Sequence, residues 1–197
     1  TVSEALRALS YRPKVISLHP HTVSEMLDDI RRVGEMTGRR AEAEAVVQSL
    51  QGRLERVRER LAHISHRPRV FCLEWLKPPM ACGHWVPEQV EIAGGEEVLG
   101  RKGEPSRYVT WEEIVAAEPE IVILMPCGFP IERTRRELHV LTSEPLWHEL
   151  SAVRDGRVSL VNGPASFNRS GPRLVDGIEL LALGGHKVDH ETWEKRL

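Results

Sequence analysis

With 197 residues, 41% of them hydrophobic and 28% charged, the chain has enough apolar content to bury a core without disulfide or metal staples. A formal net charge of -2 removes any overall electrostatic reason to expect nucleic acid or an anionic membrane surface as partner. The three cysteines, Cys72, Cys82 and Cys127, cannot all pair within one chain and match neither a zinc ribbon nor a redox dipeptide, and no apolar run is long enough to span a bilayer as a helix.

Residues 2–10 read as the end of an amphipathic helix, and residues 14–18 (KVISL) as one buried strand between Pro13 and Pro20. One strand makes no sheet. Residues 1–21 therefore read as a remnant of an N-terminal α/β lobe whose remainder lies upstream, or as a piece that packs on another chain, giving a homodimer if that chain is a second copy. The opening residues lack the apolar stretch of an export signal. A helix is expected from about Thr22, with Thr22 or Ser24 as its cap, to Gly38, whose lack of a Cβ suits a left-handed stop. A second follows from about Arg39 to Ser65, where Val46, Val47, Leu50, Leu54, Val57, Leu61 and Ile64 recur at three and four while Arg53, Glu55, Arg58 and Glu59 fill the other face. At 1.5 Å per residue it would be about 40 Å long. Residues 22–67 thus read as a long connection between two bodies; a coiled-coil arm would need a strict heptad over more turns.

After Pro68 the pattern alternates. Strands are expected at 69–74, 96–98, 120–125 and 157–161, and helices at 87–93, 110–117, 131–140 and 172–183. Thr110 and Glu113 make a capping box. Such alternation predicts a Rossmann-like α/β lobe over residues 68–185, with a mostly parallel sheet and helices on both faces, followed by a tail at 186–197. In such sheets ligands bind outside the carboxyl ends of the strands. The segments leaving those ends, 75–86, 99–109, 126–130 and 162–171, hold Trp75, Trp85, Tyr108, Phe129, Phe167 and Arg169, whereas the opposite rim has one aromatic, Trp147. Trp75 directly follows a strand and is expected in the core. Pro78, Pro79 and Pro87 restrict the first loop in advance, so its rings lose less entropy when a ligand closes on them.

The strand followed by KPPMACGHWVPEQVEIAGGEEVLG, then VTWEEIVAAEPEIVIL, then FNRSGPRLVDGIELLA, resembles the second lobe of the cobalamin- and siderophore-type substrate-binding proteins of ABC importers, nearest their cobalamin-binding branch. The likeness runs from Pro68 to about Leu183. The helix before it resembles the stiff connector between the two lobes of those proteins. About half of the expected cleft is absent from this sequence. The resemblance implies a periplasmic or extracytoplasmic binder that holds a cobalamin-like corrinoid or another metal chelate, siderophore or haem, without covalent chemistry. It also implies an ABC permease as partner. Ligand contact would fall on Trp85, Phe129, Phe167, Arg169, Met80 and Tyr108, with Phe167 and Arg169 on the family's aromatic-x-Arg segment. Glu112, with Glu113 next to it, would dock on arginines of the permease; as local structure both acids simply complement the positive end of their helix.

The competing reading is an intracellular metal-dependent protein or enzyme in which Cys82, His84 and Cys127 form a sulfur–nitrogen–sulfur ligand set. The pairs His19/His21, His63/His66 and His186/His190 have spacings compatible with coordination but read as solvated surface residues. There is no G-x-S-x-G elbow, no P-loop and no G-x-G-x-x-G after a strand.

Overall fold

The computed structural model describes residues 2–184 apart from residues 8 and 12, so the tail at 186–197 and its histidine pair lie outside the described residues. In chain order the helices are α1 (Val2–Arg7), α2 (Val23–Thr37), α3 (Arg40–Leu61), α4 (Val86–Ile92), α5 (Trp111–Ala116), α6 (Ile131–Arg136), α7 (His139–Thr142), α8 (Ser151–Arg154), α9 (Gly163–Ser166) and α10 (Arg173–Gly184). The strands are β1 (Arg69–Trp75), β2 (Met80–Ala81), β3 (Glu96–Glu97), β4 (Arg107–Tyr108), β5 (Ile121–Leu124) and β6 (Val158–Leu160), and a 3-10 turn spans Pro145–Glu149.

The sheet forms because Val70 to Leu73 of β1 and Ile121 to Leu124 of β5 are unbroken apolar runs. A strand alternates its side chains between faces, so such a run must be buried on both. Val70 and Cys72 of β1, with Ile121 and Ile123 of β5, enter one core; Phe71, Leu73, Val122 and Leu124 enter the other. The first core is closed by α2, α3, α4 and α10, the second by Ile114 of α5, Leu141 of α7, Trp147 and Ala152 of α8. Strand order is β4-β2-β1-β5-β6, with β3 also on β1. β1 pairs in parallel with β5 and with β3, and β5 with β6, whereas β2 runs antiparallel to both β1 and β4. The mostly parallel α/β lobe is as expected. The antiparallel pair β2 and β4 is not: each holds two residues, too few for alternation to be visible in the sequence.

Thr22 caps α2 by accepting the Glu25 N–H at 3.1 Å, and Gly38 ends it at φ 71. α3 is shorter than its apolar repeat suggested, 22 residues or about 33 Å, and stops at Leu61. It buries Ala43, Val47, Leu50, Leu54 and Val57 and leaves Val46 exposed. Arg53 fixes it to α10 through Glu179 (Nε 2.9 Å, Nη2 2.6 Å) and Asp176 (2.6 Å), charge-assisted bonds that hold the guanidinium proton more firmly. The helix expected over 131–140 is broken into α6 and α7. The capping box is present as read: Thr110 accepts from Glu113 N and Glu113 accepts from Thr110 N.

The strand expected at 14–18 is absent. Residues 13–20 run as irregular backbone with Val15 and Leu18 about half exposed. Nothing in the described chain offers this segment a ladder, and a strand without one leaves its backbone groups to water.

Glu97 is a half-buried acid on β3. Its Oε1 accepts the backbone N–H groups of Gly100 (3.1 Å) and Cys72 (3.4 Å), yet burial pushes its carboxyl up to about 7. Between the ordinary carboxyl value near 4.5 and about 7, the unfolded chain has released this proton while the folded chain keeps it, so stability falls as pH rises through that window, by at most about 3 kcal/mol. Urea unfolding of Glu97→Gln should therefore gain on the wild type progressively from pH 5 to pH 8, and a difference constant with pH would show that the carboxyl is not desolvated. Arg53→Ala should lower the unfolding free energy by about 1–2 kcal/mol in the same assay, since two carboxylates on α10 lose a shared, partly buried partner.

Candidate functional site

The carboxyl ends of β1, β5 and β6 open on one rim. β1 ends at Trp75, and pairing continues sideways: Trp75 faces Met80 across β1 and β2, and Met80 faces Tyr108 across β2 and β4. Adjacent strands are about 4.8 Å apart, so these three side chains form a short lateral row. Trp75 is 36% exposed and Tyr108 60%, with Met80 half-buried between them. Trp75 was expected in the core. Its register continues that of Phe71 and Leu73, but it stands beyond the last residue of β5, where no helix covers it.

Beneath the row lies Phe129. Its ring meets Trp75 edge-on at 5.3 Å between centroids, and the Arg133 guanidinium sits 3.5 Å above it. Phe129 itself is only 3% exposed and belongs to the second core. Phe167 is 1% exposed and belongs to the first core. The open cluster of Trp85, Phe129 and Phe167 expected from the sequence is thus not formed, and direct ligand contact by the two phenylalanines is corrected to support from below. Both follow strand ends at which the chain folds straight back into a helix, and the apolar ring goes with it. Trp85 is half-buried and donates from Nε1 to the Phe167 carbonyl oxygen at 2.6 Å, which joins the start of α4 to the end of α9.

A second group of rings stands beside Trp85. His84 lies 5.7 Å from Trp85 and 5.4 Å from His21, which in turn is 4.7 Å from His19 in an edge contact. His84 has φ 53, a left-handed backbone that is uncommon for a residue with a Cβ. It is held there by its N–H to the Glu104 carbonyl (2.6 Å) and by the Gly103 N–H to its own carbonyl (2.9 Å). The residue before it must be glycine, since a Cβ on Gly83 would lie 2.4 Å from the Glu104 carbonyl oxygen. Burial, and then the neighbouring His21, lower the His84 pKa, against an opposing pull from Glu74. The shift favours the neutral imidazole. The sequence reading treated His19 and His21 as solvated; their association with His84 is a long-range contact with no local signal.

Arg169 is exposed and close enough to Cys127 to favour its thiolate, although burial is the larger influence and raises the thiol. Cys127 is also tied to β1 by its N–H to the Glu74 carbonyl at 3.0 Å, and the Glu74 carboxylate accepts from Ser106 Oγ. The metal reading is corrected. Cys82 is buried against Cys72, Cys127 is exposed at the far side of β1, and among the described residues no group of three or more His, Cys, Asp or Glu could hold a metal ion. The cysteine that follows β2 stays in the ladder, its N–H bonded to the Cys72 carbonyl at 3.1 Å, so its sulfur enters the core instead of the loop. His66 is exposed and pairs with Glu120 at 3.1 Å.

On the outer side of the lobe, Glu112 and Glu113 differ. Glu113 is occupied by Thr110 N (2.7 Å) and Arg107 Nη1 (3.0 Å), which together hold its carboxyl below the ordinary range. Glu112 is exposed in the first turn of α5.

Among curated proteins, the Vitamin B12-binding protein of Vibrio cholerae is 24% identical over 165 residues, covering 80% of this chain and 54% of that one. The high-affinity heme uptake system protein IsdE of Staphylococcus aureus is 22% identical over 136 residues, 68% of this chain and 47% of that one. The chain spans about half the length of these curated relatives. Two solved structures share the fold: an ABC transporter substrate-binding protein from Listeria monocytogenes EGD-e (TM-score 0.78, 17% identity, 92% of this chain and 70% of that chain) and S. aureus IsdE complexed with heme (TM-score 0.74, 19% identity, 84% and 66%). The periplasmic binding protein family matches residues 2–164, and the chain belongs to that family.

Proposed function

We propose that the chain is the ligand-binding second lobe, with its connecting helices, of an extracytoplasmic substrate-binding protein that delivers a bulky metal chelate to an ABC permease. The ligand class is a flat, ring-bearing chelate such as a corrinoid or haem, or a ferric siderophore of similar size, bound without covalent chemistry. The observation that carries this reading is the exposed row Trp75, Met80 and Tyr108 at the strand ends, with Trp75 braced on Phe129. An aromatic ring buries about 150–250 Å² when covered, roughly 4–6 kcal/mol of transfer free energy before the costs of association. Trp85 and His84, whose rings lie 5.7 Å apart in the loop after β2, extend the rim, and Arg169 supplies positive charge for an anionic substituent. Phe129 and Phe167 act as the floor of that rim. The relatives named for vitamin B12 and for heme support a chelate as ligand. Between α2 and α3, a cavity of about 340 Å³ lined by Leu18, Met26, Ile30, Val33 and Val46 lies beside Ser170 and Gly171 of the same rim, an apolar surface suited to the first lobe.

Fluorescence titration of the whole protein with cyanocobalamin, hemin and a ferric hydroxamate should give saturable tryptophan quenching with at least one of them. Trp75→Ala should weaken that binding tenfold or more, about 1.4 kcal/mol or above, and Phe129→Leu should weaken it less while lowering thermal stability. No saturable binding of any of the three would sink the chelate reading.

For the permease, Glu112 is the proposed contact. Glu112→Lys should abolish stimulation of transporter ATPase activity while ligand affinity stays as in the wild type. Glu113→Ala should instead lower the melting temperature through loss of the capping-box acceptor, with ATPase stimulation retained. Equal loss of stimulation in both variants would remove the distinction drawn between the two acids.

A further inference from the structure

We propose that Cys72 and Cys82 join as an intrachain disulfide that fixes the outer edge of the rim. The inference rests on the reading of the chain as an extracytoplasmic protein, where thiols meet disulfide oxidants.

Both residues are free thiols in the structure, and both are buried, at 0% and 1% exposure. Their placement is set by the antiparallel register: Leu73 faces Ala81, so one step along, Cys72 faces Cys82. The backbone confirms it, because the Cys82 N–H donates to the Cys72 carbonyl at 3.1 Å. Residues directly opposite in such a ladder present their side chains on the same face, about 5.5 Å apart between Cα atoms when hydrogen-bonded, which lies inside the span of about 4.4–6.8 Å that disulfides bridge. Both sulfurs enter the first core, and each thiol is within interaction range of the other. Cys127 takes no part; it is exposed on the β5 loop.

In the folded lobe both thiols are raised: Cys72, against the opposing contact with Cys82, by burial and the nearby acids, and Cys82 first of all by burial. Exchange needs a thiolate, so the bond forms while β2 is still docking. One cysteine thiolate attacks a disulfide donor of the glutathione type, releasing one glutathione thiol and leaving a mixed disulfide. The second cysteine, as thiolate, attacks the protein sulfur and expels the second glutathione. Two protein thiols are oxidised, one donor disulfide is reduced to two thiols, and two protons leave the cysteines. The bond ties β1 to the two-residue strand β2, whose Met80 is the middle of the exposed row and whose other edge carries Tyr108.

The test uses the Cys127→Ser variant of the whole protein, with any cysteine outside these 197 residues likewise replaced, so that only the proposed pair remains. The variant is unfolded with reductant, refolded in a buffer of reduced and oxidised glutathione, and then denatured in acid for thiol counting and intact mass. The expected result is no titratable thiol, a mass lower by two hydrogen atoms than after reduction, and one linked peptide joining Cys72 to Cys82. Reductant should lower the urea midpoint of the refolded protein. Two titratable thiols, a lasting glutathione adduct, or a cross-link between chains would overturn the proposal, and an unchanged midpoint would overturn its rim-fixing role. The readouts involve no chelate, so failure here and failure of chelate binding are told apart.

Discussion

The constraint on which the lobe depends is that β1 is buried on both faces and paired on both edges. Its interior residues divide by parity between two separate cores, and its two edges carry β5 on one side and β2 with β3 on the other. A slip of one residue in its register would exchange the two cores. Everything at the rim is measured from this strand: Trp75 is its last residue, Met80 and Tyr108 are reached from it by two successive pairings, and Cys127 hangs on the Glu74 carbonyl.

That arrangement explains why the row of Trp75, Met80 and Tyr108 stands open at the strand ends. Parallel strands deliver all their carboxyl ends to the same side, where no strand continues and the helices have not yet begun. Side chains there are anchored by a rigid backbone yet lack a neighbour above them. Trp147 by contrast has such a neighbour, Trp111, at 6.1 Å, and is 4% exposed within the second core. The α2–α3 connection adds to this because Arg53 binds α3 to α10 along the flank.

The sequence made the lobe legible where a period could run. β1, β5, α2, α3 and α10 all carry apolar repeats long enough to be read, and the capping box at Thr110 and the stop at Gly38 are local chemistry. What was illegible has a common physical origin in lengths too short for a period or contacts too distant for one. β2 and β4 have two residues each, and α9 has four. His84 and His21 meet across 63 residues of chain, and no spacing announces it. The expected strand at 14–18 failed for the opposite reason: its local pattern was adequate, but a strand is a property of a pair. Phe129 and Phe167 were rightly placed on rim loops, yet a loop position says nothing of which way a ring turns. In both cases the apolar ring turned inward and left the amphipathic tryptophan outside, as the cost of exposing a phenylalanine surface would dictate.

This inversion strengthens the geometric case for a preorganised rim. A ring that must meet a ligand loses affinity to its own mobility, because ordering a side chain on binding costs about 0.5–1.5 kcal/mol. Trp75 is already braced on Phe129, which is itself clamped between the second core and the Arg133 guanidinium. Trp85 is held by a hydrogen bond to the Phe167 carbonyl, and Phe167 is fixed by complete burial. The phenylalanines thus transmit the rigidity of the two cores to the two tryptophans that stand above them. Tyr108 has no such brace: it is 60% exposed on a two-residue strand at the sheet edge. The rim is stiff above each core and softest at the β4 edge, so under the proposed chelate binding discrimination would fall mainly to the tryptophans and adaptation to the tyrosine.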